Sequence, residues 1–209
     1  MSAHKKTPSA KLDLYAEHPD EYVTPRDPAF VRVGRAYYLA IDGRGAPGSP
    51  RFTEAINALY TVAFTVKMAR KFAGTDYTVA KLEAVWWVHL PDTDFLRTPR
   101  ERWRWQLMLR VPGFVTRGEV AKTIERLLER GKPASVTRVK RITLTEGRCI
   151  QVFHAGAYAD EAATIERMRV FAELHRLRFR GAHHEIYLSD PHRVAPAKLR
   201  TIVRMPVGR

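Results

Sequence analysis

Residues 183–190 have the sequence HHEIYLSD, and the organisation of the whole chain can be worked out from them. Their character alternates as in a β-strand. One face carries polar and aromatic side chains, namely His183, Glu185, Tyr187 and Ser189. The other face is mostly apolar and is predicted to form a core beneath helices; it carries His184, Ile186 and Leu188. Because glutamate is a poor strand former, Glu185 is predicted either to meet solvent on an open sheet or to line a pocket.

A second set of similar segments occurs earlier in the chain. The three matches, in the same order, are GRAYYLAIDG (34–43) with GRCIQVFHAG (147–156), LEAVWW (82–87) with HEIYLS (184–189), and LMLRVP (107–112) with TIVRMP (201–206). This alignment pairs Glu83 with Glu185. Each copy is predicted to run strand, long helix, strand, strand. Two copies related by a pseudo-twofold axis would bring their open sheet faces together around a cleft that holds both carboxylates.

The predicted architecture is α+β, with an arm followed by one domain. Residues 1–30 are polar and contain several prolines, so they are interpreted as an N-terminal arm. Residues 31–209 are predicted to form the domain, from modules at about 31–113 and 138–209 joined by a linker helix at about 114–137. The predicted strands lie at 35–42, 82–89, 103–111, 138–145, 147–155, 183–190 and 199–206, and the predicted helices at 51–72, 116–130 and 160–179.

Composition excludes several classes of protein. The 209 residues carry a net charge of +14, which favours polyanions nonspecifically. The basic residues are nevertheless spread along the chain, and no DNA- or RNA-binding motif is present, so no specific nucleic-acid partner is predicted. No apolar run is long enough to cross a bilayer, and the N-terminus lacks the core of a signal peptide. With a single cysteine, Cys149, no internal disulfide can form, and a cytoplasmic protein is predicted, as a monomer or weak dimer.

Aromatic side chains suggest a binding pocket. All four tryptophans lie on two predicted strands, at Trp86, Trp87, Trp103 and Trp105. By alternation Trp87 shares the face of Glu83 and is predicted to line the pocket, whereas Trp86 is predicted to be core. Trp103 and Trp105 share one face, which the sequence does not settle. Further predicted pocket walls are Tyr38 and Phe153, with Tyr158 at the rim. Such rings bind flat polycyclic ligands and organic cations.

Other kinds of site find less support. His183, His184 and His192 invite a metal site, but the first two point to opposite faces of a strand, so no metal or other cofactor is predicted. A serine hydrolase is excluded by the absence of a G-x-S-x-G turn. Cys149 is mid-strand and predicted to be buried rather than nucleophilic, and His154 is predicted to be structural.

The chain resembles the GyrI-like small-molecule-binding proteins. The run HHEIYLSDPHRVAPAKLRTIVRMPV (183–207) is similar to the C-terminal signature of that family, and so are LEAVWW, WRWQLMLRVP, YYLAIDGRGAP, and EGRCIQVFHAGAY with a following Asp-Glu. The resemblance implies two modules around a central pocket, as in the effector domains of multidrug-responsive transcription activators. Those activators carry a DNA-binding domain, which this chain lacks, so a stand-alone binder or enzyme is implied.

One stand-alone branch of the family is similar in its WW, WxW and HHEIYLSDP motifs. Its members hydrolyse the cyclopropane ring of DNA-alkylating natural products of the yatakemycin class in an aromatic cage. For such a reaction Glu185 is predicted to deprotonate the attacking water, and Tyr187 to hydrogen-bond the carboxylate or the developing oxyanion. For binding alone, Glu185 would be the counter-charge of a lipophilic cation. The chain has Ala84-Val85 where the branch leads us to expect a glycine after Glu83, which would alter the pocket's shape.

Overall fold

The computed structural model describes residues 11–88 and 98–209. The strands in this part of the chain are β1 Ala29–Arg44, β2 Leu82–Trp87, β3 Arg104–Val111, β4 Lys140–Ala155, β5 Arg178–Phe179, β6 His183–Tyr187 and β7 Arg200–Gly208. The α-helices are α1 Leu14–Glu17, α2 Pro50–Phe72, α3 Arg117–Glu129 and α4 Glu161–Leu174. The predicted α+β class is confirmed. Residues 1–10 of the predicted arm, and His89 of the predicted second strand, lie outside the described residues.

Six antiparallel strands close into a ring. Their order is β4-β1-β3-β2-β6-β7, and β4 also pairs with β7, which joins the two ends. β4 pairs with β1 through its first part and with β7 through its last part. It is continuous where two strands were predicted, because Gly147 adopts a φ of 75° and lets the chain bend without leaving the sheet.

Strand register supports the internal repeat but corrects one of its three segments. Tyr38 lies opposite Arg110 and Gln151 opposite Arg204, as the first and third sequence matches require. In the second match, Glu83 lies opposite Met108, and Ile186 lies opposite Ile202. The third match aligns Met108 with Ile202. The counterpart of Glu83 is therefore Ile186. Shifting a strand by one residue moves each side chain to the other face, so the predicted pairing of Glu83 with Glu185 is wrong.

The helices cover the outside of the ring. Ser49 is the N-cap of α2, and its Oγ accepts a hydrogen bond from the Phe52 N–H at 3.3 Å. Its apolar side packs on β1, β2 and β3 through Ala55, Leu59, Val62 and Val66, all buried. α4 packs on β4 and β7 through Ile165, Met168 and Ala172. Each buried leucine, valine, isoleucine or methionine side chain in these contacts stabilises the fold by about 1.5–3 kcal/mol, which fixes both helices on the sheet.

α4 is shorter than the helix predicted at 160–179. It ends at Leu174, and Arg176 takes a φ of 56°, a conformation that stops the helix. The chain then returns as β5 to pair with β7. No helix in the described parts of the chain is both long and apolar enough to cross a bilayer.

The interior of the ring is filled, which corrects the prediction of a cleft between open sheet faces. A ring of so few strands encloses only enough space for side chains. Tyr38 packs there against Ala36, Ala40 and Met108. Ionisable groups occupy a further part of the interior: Glu83, Arg110, Glu146, His184 and Arg204, with Glu21 and Tyr22 of the arm.

Candidate functional site

The residues of HHEIYLSD lie at the seam between the two helix-covered halves of the sheet. β6 pairs with β2, which packs under α2, and with β7, which packs under α4. Glu185 lies opposite Ala84 on β2 and Val203 on β7, both of which face the helices. His184, by contrast, points into the ring with Arg204. The faces of this strand are therefore reversed from the prediction that His184, Ile186 and Leu188 lie beneath helices.

Glu185 is held in a buried cluster with His183 and Glu161. The Nε2 atom of His183 lies 3.0 Å from Glu185 Oε1 and donates a hydrogen bond to it. The same nitrogen lies 3.8 Å from Oε2 of Glu161, the first residue of α4. All three side chains are buried. We call them the carboxyl–imidazole cluster.

The protonation of this cluster is set by burial and by mutual contact. Burial, followed by the negative charge of Glu185, raises the pKa of Glu161 above its usual range. Burial alone would lower the pKa of His183, but hydrogen bonds with Glu161 and Glu185 outweigh it and raise the pKa to about 9. The arrangement therefore keeps an imidazolium between two carboxyl groups at neutral pH.

Tyr187 connects the cluster to the aromatic residues of the seam. Its hydroxyl oxygen accepts a hydrogen bond from Trp86 Nε1 at 3.2 Å. Burial raises the pKa of Tyr187 well above its usual value, and Glu185 adds to this through its charge and a hydrogen bond. Since the indole N–H occupies the phenol oxygen as a donor, the phenol proton is directed to the carboxylate. Tyr187 thus stays neutral and can share its proton with Glu185 or a ligand.

An aromatic wall continues on both sides of Tyr187. Tyr158, which was predicted to lie at the rim of a pocket, is edge-on to Tyr187 with ring centroids 5.6 Å apart, and 36% of its surface is exposed. Trp86 stacks on Phe52 at 5.6 Å and meets Trp103 edge-on at 5.7 Å. Aromatic side chains therefore run from the solvent-exposed rim to the buried carboxylate.

The structure agrees with the sequence prediction for Trp86 but not for the pocket role of Trp87. Trp86 lies in the core beneath α2, as predicted, and is also bonded to Tyr187. Trp87 shares the face of Glu83, as predicted, but that face of β2 is opposite to the one that meets Glu185. The error follows from Glu83, whose face was used to orient the strand. Trp103 and Trp105 both join the core beneath α2. Trp103 meets Trp86 edge-on, and Trp105, which has no exposed surface, lies opposite Trp86 on β3.

Three predicted pocket residues lie away from Glu185. Glu83 is inside the ring, where its Oε2 accepts a hydrogen bond from His184 Nε2 at 3.0 Å. Tyr38 is 1% exposed and packed in the same interior. Phe153 is on the interior-facing side of β4, with the Arg200 guanidinium 5.6 Å from its ring centroid. The structure thus brings together Glu185, Tyr187 and Tyr158 but not these three.

Glu161 is the residue of the cluster that sequence reasoning missed. It precedes His183 by more than twenty positions and stands at the start of a helix, where an acidic residue is ordinarily explained by the helix dipole. His154, predicted to be structural, bonds through both ring nitrogens, to Thr164 Oγ1 at 2.9 Å and the Ala157 carbonyl at 3.1 Å.

The cluster also has the composition of a metal site. Ligand atoms of Glu161, His183 and Glu185 lie within 4.8 Å of one another. These are residues of the described chain that could hold a cation, and the prediction of no metal took no account of Glu161. Because His183 Nε2 is already at hydrogen-bond distance from Glu185, the geometry is accounted for by proton sharing, and we do not assign the three residues as metal ligands.

Comparisons with known proteins agree with this fold. The GyrI-like small molecule binding domain matches residues 119–207. A crystal structure of a hydrolase from Listeria innocua is 31% identical, with a TM-score of 0.84 over 95% of this chain and 100% of that one. A conserved, uncharacterised protein of Listeria innocua is 34% identical, with a TM-score of 0.87 and the same coverage. The C-terminal domain of EcmrR, 10% identical, shares the fold with a TM-score of 0.57 over 88% of this chain and 98% of that one. Curated protein sequences give no significant match.

Proposed function

Because the chain belongs to the GyrI-like small-molecule-binding family, we propose that it binds hydrophobic, planar or cationic xenobiotics at the seam between α2 and α4. The observation that carries the proposal is the position of Glu185 at the buried end of an aromatic wall formed by Trp86, Tyr187 and Tyr158. Aromatic faces attract flat rings and organic cations, and a buried carboxylate adds a counter-charge.

Energetics favour hydrophobic cations over small polar ones. Each good aromatic contact with a cation contributes about 0.5–2 kcal/mol, the larger figure applying where water is excluded. Glu185 is 7% exposed, so a ligand that reaches it must lose most of its own hydration. A lipophilic cation loses less hydration than an inorganic one and gains the ring contacts as well. We therefore expect affinity to rise with the aromatic surface of the cation.

The binding proposal is tested by quenching of tryptophan fluorescence. Tetraphenylphosphonium carries a permanent positive charge, and triphenylphosphine oxide is a neutral compound of similar shape. Saturable quenching by the cation, with weaker binding of the neutral compound, is the expected result. Linear, non-saturating quenching by both compounds and by a panel of flat polycyclic compounds would contradict the proposal.

A second candidate function is hydrolysis of ring-strained electrophiles bound at the same seam. It is favoured by the similarity to a Listeria innocua protein whose structure is described as a hydrolase, by the hydrogen bond between Glu185 and His183, and by the position of Tyr187 on the same face of β6 as Glu185. In a cyclopropane conjugated to a carbonyl, water attacks a ring carbon and forms a C–O bond. The ring C–C bond breaks, and its electron pair moves through the conjugated system to the carbonyl oxygen.

The side chains of the seam fit the proton transfers of this reaction. Glu185 accepts a proton from the attacking water, which becomes the new hydroxyl group. Tyr187 stabilises the oxyanion with its O–H, and the oxyanion ends with a proton from the site or from solvent. Incubation with a duocarmycin-type compound should give the water-added, ring-opened product catalytically. Binding without product above the uncatalysed rate would leave only the binding function.

A further inference from the structure

Glu161 stands close enough to the proposed ligand site to influence it, although it lies on a different element from Glu185. Its side chain is 4% exposed, and its Oε1 has no hydrogen-bond partner in the described structure. Its Oε2 is directed to the imidazole nitrogen that Glu185 also uses. The Nε2–H group of His183 therefore lies between the carboxyl groups of Glu161 and Glu185.

The charges around this nitrogen do not balance if both carboxyl groups are ionised. The ion pairs that the structure describes for Glu161 and Glu185 both run to His183. Within the carboxyl–imidazole cluster itself, one imidazolium against two buried carboxylates leaves one excess negative charge. Two like charges at this separation destabilise each other, and a shared proton is the usual resolution.

We propose that Glu161 is a positioning residue for Glu185, holding the second proton of the carboxyl–imidazole cluster and giving up that proton when a cationic ligand binds. The inference rests on the proposed binding function. In the resting cluster Glu161 is neutral, His183 positive and Glu185 negative. A lipophilic cation beside Glu185 supplies the missing positive charge, so Glu161 then ionises and its proton leaves to solvent.

Other ionisable groups facing this part of the site do not take over the role. In the described part of the chain, the ionisable groups near Glu161 or the first turn of α4 include His183, Glu185 and Tyr187 on β6, Tyr158 and Asp160 in the turn before α4, Asp190 after β6, and His154 on β4. Burial and the neighbouring carboxylates raise the pKa of Tyr158 to about 12, and that of Tyr187 further, so both phenols stay neutral. His154 bonds through both nitrogens to partners outside the cluster.

Ligand binding provides the first test. Tetraphenylphosphonium affinity of the wild type should increase between pH 6 and pH 8, by at most about tenfold per pH unit for one proton released. Glu161→Gln keeps the shape of the side chain but cannot ionise, so this increase should disappear. Glu166→Gln, an exposed position of the same helix, should retain it. An equal pH dependence in Glu161→Gln and the wild type would overturn the inference.

A ligand-free measurement separates this inference from the binding function. In wild-type protein the ¹³C signal of the Glu161 carboxyl group should titrate well above the usual range of glutamate. The pKa of His183, followed by NMR and assigned with His183→Asn, should fall by about 1 unit or more in Glu161→Gln, because Glu161 is ionised at the higher pH where His183 titrates and the variant lacks that charge. If no ligand binds, the proposed function fails and these titrations alone decide the inference. Ordinary titration of Glu161 in the wild type would overturn it.

Discussion

Glu83 and Glu185, which the similarity of LEAVWW to HEIYLS aligns although their strand registers differ, point to opposite faces of one sheet. Glu83 faces the ring interior, where it is bonded to His184, and Glu185 faces the seam between α2 and α4, where it is bonded to His183. His184 and His183, which are adjacent on β6, therefore each hydrogen-bond one of these glutamates, on opposite faces of the strand. The first pair stabilises the fold, and the second belongs to the proposed ligand site.

The two glutamates should therefore respond differently to the same substitution. Glu83→Gln removes a fully buried charge that His184 and Tyr22 both contact, and it should lower the free energy of unfolding by about 3–5 kcal/mol. Glu185→Gln should weaken tetraphenylphosphonium binding by about tenfold or more, with a smaller loss of stability. Urea denaturation and fluorescence titration measure the two effects. The assignment is wrong if Glu83→Gln weakens ligand binding in a fully folded protein more than Glu185→Gln does.

Stability should depend on pH through the interior pair of His184 and Glu146. Burial alone would lower the pKa of His184, but Glu146 and Glu83 raise it to about 9. Its contribution is therefore complete below the pKa of an unfolded histidine, about 6.5, and is lost as the pH rises through about 9. Burial alone would raise the pKa of Glu146, but His184 and Arg204 lower it to about 2. That contribution is complete above the unfolded value and is lost as the pH falls through about 2.

Thermal unfolding across the pH range checks this second prediction. The melting temperature should have a plateau near neutral pH and fall on both sides of it. His184→Asn should be less stable on the plateau and should show a smaller alkaline decline between pH 7 and pH 9, the remainder coming from His183, whose pKa is also raised to about 9. His192→Asn, an exposed position, is the matched control and should keep the wild-type profile. An unchanged alkaline decline in His184→Asn would show that another group causes it.

The tryptophans give a third prediction. Trp86→Phe retains a ring against Phe52 but removes the hydrogen bond to Tyr187, a loss of about 0.5–1.5 kcal/mol. Ligand affinity should fall by roughly twofold to tenfold, and the ligand-induced quenching should shrink. Trp87→Phe, on the other face of the same strand, should leave the affinity unchanged. If Trp87→Phe weakened binding and Trp86→Phe did not, the result would support the sequence prediction that Trp87 lines the pocket.

Sequence patterns predicted the position of the strand that carries Glu185 more reliably than they predicted which face of that strand meets the helices. Alternation identified the strand around Glu185 and the two faces of its side chains, and the repeat correctly matched Tyr38 with Gln151 and Arg110 with Arg204. Which face meets the helices depends on how six strands close into a ring, and that follows from pairings distant in sequence. The similarity of LEAVWW to HEIYLS then placed Glu83 one residue out of register.

Glu161 shows a different limit of sequence reasoning. Glu161 belongs to the Asp-Glu that follows EGRCIQVFHAGAY in the family resemblance, but its position alone is that of an ordinary acidic residue in the first turn of a helix. Its role depends on the packing of α4 against β4 and β7, which brings it to His183. A long-range contact of this kind has no local signal in a single sequence.

The central claim, that ligands bind at the seam beside Glu185, is tested most directly by a crystal structure of the complex with tetraphenylphosphonium. We expect the cation between α2 and α4, with phenyl rings against Tyr187 and Tyr158 and the phosphorus centre on the side of Glu185. Another described groove lies near the start of α2, lined by Pro50, Asn57, Pro133 and Val136. A cation bound there or inside the strand ring, with the seam empty, would contradict the claim.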